Sequence, residues 1–198
     1  MNVSSTIECF KRYAEEEKRI LSELPWDKIE ETFEVIRNAA IKDKHIFIVG
    51  SGGSAANSSH MAMEFGKNIP HNFGRVKVMS LNDNVAWITA IGDDFSFDDI
   101  FLNPLEKLFI RGDILIALSS NEKSRNILKP VEFAKRQNMR TISITGYLLN
   151  ELRQMVDIGI VIPSYDAGHI ENMQQIICHM IVDVFQKWHQ YITVENTK

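Results

Sequence analysis

Short apolar runs that alternate with amphipathic helical stretches predict an α/β fold, a parallel sheet covered by helices on both faces and preceded by a helical pair. Three observations support this. Five runs are apolar almost throughout, as strands buried on both sides should be. Apolar residues recur at steps of three and four between those runs. No internal repeat, low-complexity tract or linker divides the 198 residues. The chain therefore reads as one domain, with N-terminal helices over 1–42 and an α/β core with a C-terminal helix over 43–198.

The helices come first. Ile7, Phe10, Ala14, Leu21 and Leu24 form one stripe. Trp26, Ile29, Phe33, Ile36 and Ala40 form a second. Pro25 breaks the first helix and suits the start of the next. The two stripes predict an antiparallel pair. Strands are expected at His45–Val49, Val76–Met79, Asp113–Leu118, Thr141–Thr145 and Ile158–Ile162. Helices are expected at Ala55–Lys67, Val85–Gly92, Asp99–Phe109, Arg125–Gln137 and Leu148–Met155, with a long one over Gly168–Tyr191.

Composition narrows the function. With 44% hydrophobic and 24% charged residues the chain is globular, not disordered. Twenty-two basic against 26 acidic side chains leave a net charge of −4, which excludes a nucleic-acid footprint built on basic excess. No apolar run approaches the roughly 20 residues of a membrane helix. The opening MNVSSTIECFKRY has no apolar core before a cleavage site, so no secretory signal is expected. Two cysteines, Cys9 and Cys178, are too few for a disulfide framework. A reducing, cytoplasmic setting follows as the default.

In open parallel sheets ligands bind beyond the carboxyl ends of the strands. The loop after the first strand reads Gly50-Ser51-Gly52-Gly53-Ser54. Its glycines let backbone N–H groups approach an anion at a helix N-terminus, although a plain tight turn would read the same way. Gly50, Gly52 and Ala55 also satisfy the G-x-G-x-x-A dinucleotide spacing. That reading wants an acidic residue ending the second strand, where Met79-Ser80 stands instead. The loop after the third strand, Ser119-Ser120-Asn121-Glu122-Lys123-Ser124, offers hydroxyls and an amide suited to phosphate. Ser124 could equally be the cap of the following helix.

His60 and Glu64 stand four residues apart and so share a helix face. They could ligate a divalent metal, or work as an acid–base pair. A surface ion pair is the plain alternative, but Met61, Ala62, Met63 and Phe65 around them argue for burial. The last helix carries Glu171 and His179 in an apolar stretch. At about 1.5 Å per residue they lie roughly 12 Å apart along the axis. They reach one ion only by leaning together or from different chains, and the second arrangement would place a site at a subunit interface.

Together these residues resemble the SIS (sugar isomerase) family, most closely the phosphoheptose isomerases. The segment IFIVGSGGSAANSSHMAMEF is similar to that group's first strand, glycine-serine loop and His/Glu helix. AIGDDFSFDDIF is similar to its G-N-D-F-x-F-x-D-I-F segment, with Asp93 in place of Asn. His179 matches the group's late histidine.

The resemblance implies a five-stranded parallel three-layer α/β/α sandwich, the SIS fold, with N-terminal helices, assembled as a homotetramer. It implies isomerisation of sedoheptulose 7-phosphate to D-glycero-D-manno-heptopyranose 7-phosphate, with Glu64 as base and His179 as acid. Metal candidates are His60, Glu64, Glu171 and His179, usually for zinc. Phosphate would rest on Ser54, Ser119, Ser120, Asn121 and Ser124, with Gly52 and Gly53 in the loop that lines it. Ser51, Asp93, Asp94 and Glu171 would face the sugar.

The chain departs from the family at three places. The phosphate loop reads S-S-N-E-K-S where the family has S-x-S-G-x-S. Glu171 stands at the family's Gln. Gly168 stands at its sugar-binding Asp, for which Asp166 could substitute. The competing implication is a non-catalytic SIS adaptor, or a regulatory protein that senses sugar phosphates. Retention of His60, Glu64 and His179 favours the enzyme.

Overall fold

The computed structural model describes residues 5–120, 124–147 and 150–195. Among these, five parallel strands form one sheet: β1 (His45–Gly50), β2 (Lys77–Ser80), β3 (Ile114–Ser119), β4 (Arg140–Thr145) and β5 (Ile158–Val161), in the order β2-β1-β3-β4-β5. The helices are α1 (Thr6–Ser22), α2 (Trp26–Ile41), α3 (Gly53–Asn68), α4 (Val85–Asp94), α5 (Leu102–Leu108), α6 (Arg125–Arg136), α7 (Asn150–Met155) and α8 (Ala167–Glu195). The expected strands are all present, most displaced by a residue. The expected helix over Asp99–Phe109 begins later, because a separate 3₁₀ turn takes up Phe97–Asp99. Leu148, the expected start of α7, lies outside the described residues.

Strand side chains alternate between two cores, as the period of two requires. Ile46, Ile48, Ile114, Ile116, Ile142 and Ile144 face α2, α3 and α8. Phe47, Val49, Leu115 and Ala117 face α4 to α7. The result is three layers. The middle strands are apolar on both sides because both sides are covered.

The helical pair is present, but its two stripes are buried unequally. α2 buries Ile29, Phe33, Ile36 and Ala40 as its stripe predicts. α1 buries only Ile20. It leans on the start of α8: Tyr13 stacks on His169, Glu17 meets His169 Nδ1 at 2.5 Å, and Arg19 donates to the Pro163 carbonyl. Polar contacts from its middle to its C-terminal end stand where the stripe led one to expect apolar ones. Ile7 and Phe10 stay 63% and 69% exposed. Among the described residues no helix is long and apolar enough to cross a membrane.

Strand order reverses between β1 and β3, which pair with Gly50 opposite Leu118. Their carboxyl ends, and therefore the glycine-serine and Ser119-Ser120 loops, lie side by side at this switch point.

Candidate functional site

The first turn of α3 comes so close to the end of β1 that a Cβ at Gly50 would overlap the Ser54 carbonyl. Only glycine fits there. Gly52 has φ +62°, a conformation other residues rarely adopt, and it turns the chain into α3. Asn82, beyond β2, locks this turn from outside. It accepts from Gly50 N and donates to Gly50 O.

Ser51, Gly52 and Gly53 are open to solvent at the mouth of this loop. Ser54 is fully buried, and its Oγ has no hydrogen-bond partner among the described residues. A buried hydroxyl without a partner costs free energy unless a ligand or water supplies one. Ser119 is buried and Ser120 partly so. Ser124 occupies the N-cap position of α6, as the alternative expects, but its side chain makes no capping hydrogen bond. Asn121, with Glu122 and Lys123, lies outside the described residues.

One stripe of α3 meets one stripe of α8. Gly53, Asn57, His60 and Glu64 follow steps of four, three and four along α3. Asn57 is the fastener between them. Its Nδ2 donates to the Glu171 carbonyl and to Gln174 Oε1, both at 2.9 Å, while its Oδ1 accepts from Gln175 at 2.7 Å. Gln174 is fully buried and donates onward to the β4 carbonyl of Ile144. Sequence reasoning missed this clamp. Its signal was an Asn three residues before His60 and two glutamines inside an apolar helix.

Beyond the clamp, His60 Nε2 lies 3.0 Å from His179 Nε2. One ligand atom from each of His60, Glu64 and His179 lies within 4.8 Å of the others. Asn68 Nδ2 donates to Glu64 Oε2 at 2.6 Å and holds the carboxylate plane. His60 and Glu64 are half-exposed and His179 is exposed, so the expected burial is corrected to partial exposure. Cys178, behind His179, is buried. Burial first, then the Glu64 charge, push its thiol from 9.0 up to about 12, and it is not among the grouped ligand atoms.

The three grouped side chains fit a metal. A tetrahedral zinc with bonds of about 2.0–2.1 Å holds two nitrogens roughly 3.3 Å apart, close to the separation found. Two imidazoles and a carboxylate leave a fourth position open, the pattern of a catalytic ion.

Four expected residues are placed elsewhere. Glu171 lies outside that group, because its position on α8 turns the carboxylate to Gly53 and Ser120 instead. Asp166 accepts from Gly168 N and His169 N through Oδ1 at the start of α8. Asp93 and Asp94 end α4, exposed, with no described hydrogen bond or ion pair to the α3–α8 site.

The SIS domain family model matches residues 12–146. A phosphoheptose isomerase from Thermodesulfovibrio yellowstonii is 31% identical over 160 residues, covering 79% of this chain and 80% of its own. One from Helicobacter pylori strain ATCC 700392 / 26695 is 30% identical over 142 residues, covering 72% and 74%. The solved structure of a phosphoheptose isomerase from Francisella tularensis superposes with a TM-score of 0.84 at 23% identity, over 93% of this chain and all of that one.

Proposed function

The chain belongs to the SIS domain family, and from that premise we propose that it is a sugar-phosphate aldose–ketose isomerase acting on sedoheptulose 7-phosphate. One observation carries this reading: His179, far along the chain from His60 and Glu64, groups with them on the α3–α8 seam, whose α3 begins at the glycine-serine loop. A non-catalytic adaptor has no need of that convergence.

Ketose-to-aldose conversion moves a proton from C1 to C2 through an enediol. Glu64 takes the C1 proton and returns it to C2 on the same face. His179 gives a proton to O2 as the carbonyl becomes a hydroxyl, and takes the one leaving O1. Asn68 holds Glu64 in plane, and the Asn57 clamp sets α8 so that His179 faces α3. Ser54, Ser119 and Ser124 hold the phosphate, with the α3 N-terminus adding partial positive charge. His60, Glu64 and His179 would hold a divalent ion, which we take to be zinc. When bound it supplies Lewis-acid polarisation of the substrate oxygen.

The working unit is one SIS domain per chain in a homotetramer with its sites at subunit interfaces. It works in the cytoplasm, where two free cysteines stay reduced.

Glu64→Gln tests the reading. General acid–base catalysis contributes about 10²- to 10⁴-fold, so turnover should fall by at least that and solvent deuterium should no longer enter the substrate. A Glu64→Gln enzyme that still exchanges deuterium at the wild-type rate removes Glu64 as the base. Ser119→Ala with Ser124→Ala should raise KM while sparing kcat. An unchanged KM moves the phosphate elsewhere.

A further inference from the structure

Glu171 stands where the two candidate anion loops meet. Ser120 Oγ, from the loop after β3, donates to Glu171 Oε1 at 3.2 Å. A Cβ on Gly53, from the loop after β1, would overlap both oxygens of the same carboxylate. The side chain is delivered there by a fixed backbone, since its own carbonyl accepts from Asn57. Gly53 begins α3, whose first N–H groups are unpaired within the helix and attract negative charge. Among the described residues no lysine or arginine forms an ion pair with Glu171.

We infer that Glu171 is a resident anion in the cradle, a specificity-determining residue whose carboxylate competes with the substrate's phosphate for the space between Gly53 and Ser120. The inference rests on the phosphate reading of these loops given above. A phosphate dianion that enters must either displace the carboxylate from Ser120 and the helix end, or lie beside a like charge. Each route weakens its binding. A neutral amide of the same shape removes the repulsion and adds a donor. The carboxylate therefore lowers the site's affinity for free phosphate. It leaves the sugar contacts and the His60–Glu64–His179 cluster, about seven residues or roughly 10 Å further along α3, to select the whole substrate.

The test titrates inorganic phosphate into the full-length chain in the presence of a chelator, so that no metal effect enters. Wild type, Glu171→Gln, Glu171→Ala and Ser54→Ala are compared by calorimetry, with thermal melts to show that each is folded. Both neutral Glu171 variants should bind phosphate about tenfold tighter than wild type, and raised salt should narrow the gap. Affinity unchanged or weakened in both overturns the role. Glu171→Ala keeps the test decisive if Glu171→Gln fails to fold. Ser54→Ala separates the two failures. If it weakens phosphate binding while the Glu171 variants do nothing, the cradle stands and the competitor falls. If neither it nor they change binding, or no variant binds phosphate at all, the phosphate reading falls and takes the Glu171 role with it.

Discussion

Cys178 and His179 are sequence neighbours with opposite environments, and the rotation of α8 decides which does chemistry. The thiol points into the core and the imidazole into the cleft. The thiol is held from 9.0 up to about 12 by burial and by Glu64, whereas an unfolded chain ionises it near its ordinary value. A raised folded pKa adds stability that is full below the unfolded value and is lost as pH rises through the folded one. Stability measured by urea unfolding should therefore decline between about pH 9 and 12 in wild type, and decline less in Cys178→Ala. A thiol reagent should label exposed Cys9 at once and Cys178 only on unfolding. Equal labelling rates in the native protein would contradict the burial. At this scale the sequence was readable where spacing is local. His60 and Glu64 share a face by the helix period alone. The direction of Glu171 was not readable, because it depends on how α8 is rotated against α3.

The α3–α8 seam is where elements become a site. Its apolar part was legible, since Ile170, Met173, Ile177 and Ile181 fall on one stripe and all are buried. Its polar part was not, because nothing in the sequence pairs Asn57 with two glutamines more than a hundred positions away. Asn57→Ala should leave Gln174 Oε1 and the Glu171 carbonyl without their donor. A buried acceptor left unpaired costs about 1–3 kcal/mol, which denaturant unfolding would register. Because the clamp also sets the distance between His60 and His179, kcat should fall more than KM rises. Loss of stability with unchanged kcat would make the clamp merely structural. Strand prediction succeeded for a related reason. A strand covered on both faces is apolar throughout, a signal that needs no partner to be read. The polar contacts of α1 with α8 were not readable, because an amphipathic stripe says that a helix needs a partner without saying which.

The same unmet need reappears at the scale of the whole molecule. α1 leaves Ile7 and Phe10 in solvent, and a groove of about 510 Å³ opens between α2 and α8, lined by Trp26, Ile29, Phe33, Ile181, Val184 and Trp188. An apolar surface of that kind on a chain with balanced charge is what a subunit contact leaves when one subunit is viewed alone. The proposed homotetramer would cover it. Light scattering should then report four chains per particle. Val184 is 43% exposed, so a charge there costs the isolated subunit little but would be buried in the contact. Val184→Glu should give smaller particles, and activity should fall with dissociation if the sites span the interface. A wild-type chain that runs as a monomer would end the tetramer reading. A Val184→Glu tetramer would move the contact away from this groove, and full activity in dissociated Val184→Glu chains would confine each site to one subunit.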